Sequence, residues 1–372
     1  MTHIVLFGAT GYTGSLTAHA LMRRGITPTL AGRSAERLRI LAKELEVNFE
    51  RECPIAIADS QQPESVRALV SRSTDVLVTT VGPFTAHGSA ALNAAIQAGS
   101  AYVDSTGEPP FVRHIFTTAN TSAKRTGARL LTAFGYDYVP GNLAGLTAIR
   151  RAQAAGATVD RIEVGYFIVG GFGISSGTKA SAAAMLLEPS FAYRNGHLVT
   201  EATAKHVEQF MIDGKPLDAL SIGGSEHFCL PPLDPHIRQV DVYLGWAGRH
   251  TRNAQRGSRV VNLLGAVPGA SHLLREITKK VAPTGSGPSS TERSQANTVA
   301  IARAFDTSGE QVSEATVRGP SPYDLTAELL AWGAEQFQLG KDKSTGALRP
   351  ATAFGEDAFI QGCAELGLHT TT

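Results

Sequence analysis

Cysteine is scarce in this chain: three in 372 residues, at positions 53, 229 and 363, with no C-x-x-C pair and no cysteine–histidine cluster. An odd, scattered set excludes a disulfide framework and a structural zinc site as organising devices. No apolar run approaches the roughly 18–20 residues that a membrane span needs. An excess of one charge sign is missing too. The formal net charge is +1, and proteins that bind nucleic acid in bulk usually carry a basic field. The opening residues already read as a strand, so no signal or transit peptide is expected ahead of it, and a soluble cytoplasmic protein is the default expectation. What is present is apolar content of 42% over a length that suits two domains, each large enough for its own core.

The N-terminus carries the densest signal. The run Ile4-Val5-Leu6-Phe7 ends in Gly8-Ala9-Thr10-Gly11-Tyr12-Thr13-Gly14, and a helix-compatible stretch follows from Ser15. Glycine admits positive φ and lets backbone N–H groups approach a pyrophosphate at a helix N-terminus, where the dipole favours negative charge. The spacing is G-x-x-G-x-x-G rather than G-x-G-x-x-G, so its context after a strand carries the assignment. Gly8, Thr10, Gly11, Tyr12, Thr13 and Gly14 are the expected phosphate-turn residues.

An acid that would bond a ribose 2′-hydroxyl is absent about twenty residues further on. There the second strand runs into Gly32-Arg33-Ser34. The planar guanidinium of Arg33 suits a 2′-phosphate, Ser34 adds a hydroxyl while capping the next helix, and Arg37 is a second candidate clamp. NADP(H) is the expected cofactor. Asp59, at the end of the third strand, and Val81-Gly82-Pro83-Phe84, after the fourth, complete the expected cofactor set.

Residues 1–144 alternate strand and helix in the manner of a doubly wound parallel sheet. From about 145 the pattern changes to longer strands at 161–169, 238–244, 298–305 and 311–317, the last two flanking a turn at Asp306-Thr307-Ser308-Gly309. This predicts a second α+β domain with a mixed or antiparallel sheet over 145–350. A late helix is expected at 355–367, and whether it returns to the first domain stays open. A further alanine-rich helix is expected at 180–187. Closed homodimers are the commonest assembly, and a homodimer is the default expectation.

Several segments together resemble the saccharopine dehydrogenase-like NADP-binding oxidoreductases, a group that includes the trans-acting enoyl reductases of actinobacterial lipid synthesis. They are Gly8–Gly14, Ala31-Gly32-Arg33, Val81–Phe84, Tyr102-Val103-Asp104-Ser105-Thr106-Gly107-Glu108, Gly135–Pro140, Ser176-Gly177-Thr178 and Tyr323–Glu328. The resemblance implies that Gly82-Pro83-Phe84 packs at the nicotinamide end and that Thr106-Gly107-Glu108 shapes the cleft. It also implies that the 135–140 turn opens into the substrate domain. His87 stands where the group leads one to expect Tyr, and Lys179 where an apolar residue is expected.

Hydride transfer asks little of a protein beyond holding the reactants in register and supplying a proton. Tyr136 and Asp137 are the candidate proton donors at the end of the sixth strand, with His87 and Lys179 as further candidates. Arg249, Arg252, Arg256 and Arg259 would share one helical face. That stripe is either a solvated basic face or a dock for an acyl-carrier protein or a membrane surface. The leading expectation is an NADPH-dependent reductase of a C=C or C=N bond in a small or acyl-linked substrate. A saccharopine-type amino-acid dehydrogenase and a non-catalytic NADP(H) sensor or scaffold stay open beside it.

Overall fold

A computed structural model describes residues 2–170, 190–246, 251–253, 255–256 and 287–371. The chain divides into two compact units: Met1–Val139 with Pro322–Leu366, and Pro140–Ser321 with Gly367–Thr372. The boundary therefore falls at Val139/Pro140 rather than at 144/145. The expected second domain at 145–350 also loses its last stretch, because residues from Pro322 onward belong to the first unit.

The first unit runs β1 (Ile4–Phe7), α1 (Tyr12–Arg23), β2 (Thr29–Gly32), α2 (Ala35–Phe49), β3 (Ile55–Ile57), α3 (Pro63–Arg67), β4 (Val76–Thr79), α4 (Phe84–His87), α5 (Ser89–Ala98), β5 (Ala101–Asp104), α6 (Pro109–His114), α7 (Asn120–Thr126) and β6 (Arg129–Leu131). Its seven strands form one parallel sheet in the order Gly346–Ala347, β6, β5, β4, β1, β2, β3. Strands β1, β2, β4 and β5 are buried at every position, as a sheet covered by helices on both faces requires. The order reverses direction between β1 and β4. Ligands of such sheets bind in the crevice that this reversal opens outside the strands' carboxyl ends.

The late helix Pro322–Gln338 belongs to this unit and is buried around most of its circumference, including Leu325, Leu329, Leu330, Trp332 and Phe337. It lies against α1, where Arg23 bonds Glu328 at 2.6 Å and Arg24 bonds Glu335 at 2.6 Å. Tyr12 and Tyr323 meet edge to face with ring centroids 5.0 Å apart, a preferred aromatic geometry.

The second unit opens with α8 (Val139–Ala154) and continues through β7 (Arg161–Gly170), β8 (Ser190–Arg194), β9 (His197–Glu201), β10 (Val207–Ile212), β11 (Lys215–Ile222), β12 (Gln239–Leu244), β13 (Ala296–Phe305) and β14 (Gln311–Gly319). With the terminal strand His369–Thr371 they build a mixed sheet. Within this sheet only β7 and β12 pair in parallel among the described strands. Phe167, Phe210, Ile212, Tyr243, Val299 and Ile301 form a core on one face. The β13–β14 turn falls at the predicted place, with Asp306 accepting from the backbone N–H groups of Ser308 and Glu310 and Gly309 at φ 85. Residues 180–187 lie outside the described residues. Among those described, no helix is long and apolar enough to cross a membrane, and no group of acids, histidines and cysteines could hold a metal ion.

Candidate functional site

The glycine turn sits at the switch point. Gly8 has φ 89, and its N–H and that of Ala9 both donate to Ala31 O of β2. Each glycine in the triplet answers a different steric demand. A Cβ on Gly8 would lie 2.8 Å from Thr80 Oγ1 and 2.9 Å from Val81 Cγ2, beyond the end of β4. A Cβ on Gly14 would lie 2.1 Å from Gly8 O, so α1 presses directly on the turn. Gly11 caps α1 with extended backbone, and no side chain hydrogen-bonds into that helix start as a cap. Thr80 Oγ1 donates to Gly8 O at 3.2 Å and ties the turn to the neighbouring strand end.

Beside it, Ser34 caps α2 by accepting from Arg37 N. Arg37 donates to Thr10 O at 2.6 Å, so its charge is fixed against the glycine turn. Arg33 is exposed and makes no hydrogen bond or ion pair among the described residues. Asp59 turns the chain after β3, accepting from Gln61 N at 3.0 Å. The glycine turn, Arg33 and Asp59 thus stand at the carboxyl ends of neighbouring parallel strands.

Past β4, the segment Val81–Phe84 leads into α4, and here the structure brings in an acid whose hydrogen bonds the sequence did not reveal. Glu108 is 2% exposed. Its Oε1 accepts from Phe84 N at 2.7 Å, and its Oε2 accepts from Thr85 N at 2.9 Å and from Thr85 Oγ1 at 2.7 Å. The local sequence explains why it reaches away from its own helix. Glu108 stands at the N-cap of α6, but Pro109 and Pro110 follow. Prolines present no N–H for a cap to satisfy, and the carboxylate serves another helix start. An acid immediately before two prolines is the signal that could have revealed it.

Asp104, at the end of β5, anchors the same loop. It accepts from Thr106 N, Ala133 N and Thr132 Oγ1 at 2.8–2.9 Å. Burial pushes its carboxyl up to about 6, while those hydrogen bonds pull the other way. Glu108 N in turn donates to Thr106 Oγ1 at 3.1 Å.

Asp137 lies in the turn after β6 and is partly buried. Its carboxylate makes no hydrogen bond or ion pair among the described residues, and burial raises it to about 7. The loop of Glu108 forms its wall: a Cβ on Gly107 would lie 2.7 Å from Asp137 Oδ2, and Tyr138 Oη donates to Gly107 O at 3.0 Å. Ala133 and Tyr138, flanking the turn, hold φ of 57 and 91. Left-handed backbone at non-glycine residues is costly and concentrates at functional sites. Tyr136 is buried, with its N–H donating to Thr326 Oγ1. His87 ends α4 and is partly exposed. Lys179 and Ser176-Gly177-Thr178 lie outside the described residues, as do Arg249 and Arg259. Of the basic stripe, Arg252 bonds Asp218 at 2.8 Å and Arg256 reaches Asn253.

A depression of about 480 Å3 in the second unit, lined by Arg161, Glu163, Arg194 and Asp241 among others, holds none of the expected residues. Its acids are already matched, Glu163 by Arg161 and Arg303, Asp241 by Arg194 and Gln239.

No family model matches the chain. A Mycobacterium tuberculosis protein that carries the trans-acting enoyl reductase name provisionally is 31% identical, over 99% of this chain and 97% of its own. The chain belongs to the trans-acting enoyl reductase family. A Mycobacterium bovis trans-acting enoyl reductase is 29% identical, over 95% of this chain and 93% of its own. Among solved structures, apo saccharopine dehydrogenase (L-Glu forming) from Saccharomyces cerevisiae covers the whole of both chains at a TM-score of 0.61 and 12% identity, a likeness of fold. This member of the enoyl reductase family thus has the two-part architecture that its sequence resemblance implied.

Proposed function

We propose that this chain is an NADPH-dependent reductase that saturates the C=C bond of an acyl-linked, α,β-unsaturated substrate. The observation that carries the reading is the glycine-capped N-terminus of α1 at the β1/β4 switch point, beside an exposed Arg33 that has no partner among the described residues. The names of the relatives support the enoyl substrate class. Residues 8–14 would hold the pyrophosphate, Arg33 and Ser34 the 2′-phosphate, Asp59 the adenosine side, and Val81–Phe84 the nicotinamide side. When bound, NADPH supplies a hydride for the β-carbon of the substrate.

The matching proton comes from the chain. Asp137 with its carboxyl at about 7 is protonated in a large fraction of molecules at neutral pH, which suits a general acid working near that pH. It would deliver its proton to the α-carbon, the C=C becoming CH–CH, and then regain one from water. An acid mechanism requires the protonated form, so turnover falls as pH rises through about 7. The test is reduction of enoyl thioesters, followed by NADPH consumption across pH. Asp137→Asn should bind NADPH as before and lose about 10²–10⁴-fold in turnover, the range for positioned acids. Unchanged turnover and pH profile in that variant would remove Asp137 from the role. A wild-type chain that oxidises NADPH with no enoyl thioester would sink the substrate reading. Reduction of NADP+ by saccharopine, or NADPH oxidation with 2-aminoadipate semialdehyde plus glutamate, would decide for the amino-acid dehydrogenase; nucleotide binding with no substrate turned over in either direction would decide for the sensor.

A further inference from the structure

We propose that Glu108 is a positioning residue for the nicotinamide half of the dinucleotide, fixing the Val81–Thr85 turn without touching the adenosine half. The inference rests on the cofactor reading above and deepens it. The crevice between β1 and β4 has two walls. One is the glycine turn with Arg37, tied to β2 and α2 and joined to the end of β4 by the Thr80 Oγ1 bond to Gly8 O, with no bond to Glu108. The other is the segment after β4, and its backbone is held from outside by one carboxylate.

That carboxylate takes two main-chain N–H groups and one hydroxyl at 2.7–2.9 Å. Such charge-assisted bonds are short and about twice as strong as neutral ones. Its own loop is fixed in turn by Asp104 through Thr106 N, and by Thr106 Oγ1 through Glu108 N. Asp104 also grips Ala133 N, at the start of the turn that carries Asp137. The segment 104–108 therefore sets the cofactor-side turn with one acid and the Asp137 turn with another. Phe84, whose N–H Glu108 receives, is buried against Phe111 of α6 at 5.7 Å between ring centroids. Loss of the anchor would fall on the turn's more exposed residues, Gly82 and Pro83, since Phe84 is held by its packing.

Replacing the carboxylate by an amide removes this anchor selectively. The amide nitrogen of Glu108→Gln would face donors that it cannot bond, and at least one N–H is left without its acceptor. The experiment measures affinity by calorimetry, apart from turnover. Wild type and Glu108→Gln are titrated with NADPH and with 2′-phospho-ADP-ribose, the same molecule without the nicotinamide ring. The expected result is a Kd for NADPH raised about tenfold in the variant, equal to about 1.4 kcal/mol, with the Kd for 2′-phospho-ADP-ribose unchanged within twofold. Equal weakening of both ligands, or weakening of neither, overturns the proposal. Thr85→Val, which deletes one hydroxyl and keeps both backbone bonds, should shift NADPH in the same direction by a smaller factor. If Glu108→Gln does not fold, that variant decides, and an unchanged NADPH affinity overturns the inference. A wild-type chain that binds neither ligand overturns the cofactor reading itself, a result distinct from the other two.

Discussion

Arg33 and Arg37 are separated by one helical turn, and the structure gives them opposite situations. Arg37 is committed to Thr10 O, whereas Arg33 is exposed and unengaged among the described residues. An arginine serving the protein's own stability would be expected to find an acid; one serving a ligand phosphate would not. The sequence made this residue legible because an acid is missing where a ribose hydroxyl would be read. Glu108 was visible only as part of a resemblance, because its hydrogen bonds reach 23–24 residues back along the chain to a helix start that no local pattern pairs with it. The expected outcome for Arg33→Ala is a Kd for NADPH raised by about ten- to a hundredfold, the loss of one or two charge-assisted bonds at about 1.5–3 kcal/mol. NADH, which lacks the 2′-phosphate, should bind the variant as it binds the wild type. Titration of both nucleotides checks this, and parallel losses for the two would assign Arg33 to the fold instead.

At the scale of elements, buried parallel strands and their glycine turn were legible because each is specified by neighbours in sequence. The hairpins of the second unit were equally local, yet β8–β11 went unread. Their signals are Asn195-Gly196, at φ 52 and 83, and Asp213-Gly214, at φ 51 and 73, the dipeptides that favour type I′ turns between strands. β9 alternates only weakly between buried and exposed, and β10 alternates only over its last four residues, Gln209–Ile212, a stretch too short to mark a strand by periodicity alone. The glycine turn carries a sharper consequence. Gly14 lies within α1, where alanine ordinarily improves a helix by about 1 kcal/mol. Here the added methyl meets Gly8 O at 2.1 Å, and backbone cannot step aside as a flexible side chain can. Gly14→Ala should therefore destabilise the protein by about 1–3 kcal/mol, the usual cost of overpacking, and weaken nucleotide binding. Thermal unfolding with and without NADPH separates the two effects. A variant more stable than wild type would show that helix propensity outweighs the clash.

On the scale of the whole chain, the first unit is discontinuous. Helix Pro322–Gln338 enters it some 300 residues after α1, as the Arg23–Glu328 pair at a separation of 305 shows. Its buried pattern told of a core helix, but periodicity cannot name which core. Once placed, it covers α1 and sets Trp332 against Phe134, with ring centroids 6.1 Å apart, at the base of the turn that carries Asp137. Burial of a large apolar side chain is worth about 1.5–3 kcal/mol, and Leu325, Leu329, Leu330, Trp332 and Phe337 are five of them. Their sum rivals the roughly 5–15 kcal/mol by which a domain is stable at all. A chain ending at Ser321 should therefore fail to form the nucleotide-binding unit, although residues 1–139 contain all of the expected cofactor contacts. A chain ending at Leu366, which keeps the helix and loses Gly367–Thr372 with the terminal strand, removes residues of the second unit only and should still bind NADPH. Circular dichroism melts and NADPH titration of the two truncations check this. Wild-type melting and binding in the shorter chain would show that the N-terminal segment builds its core alone.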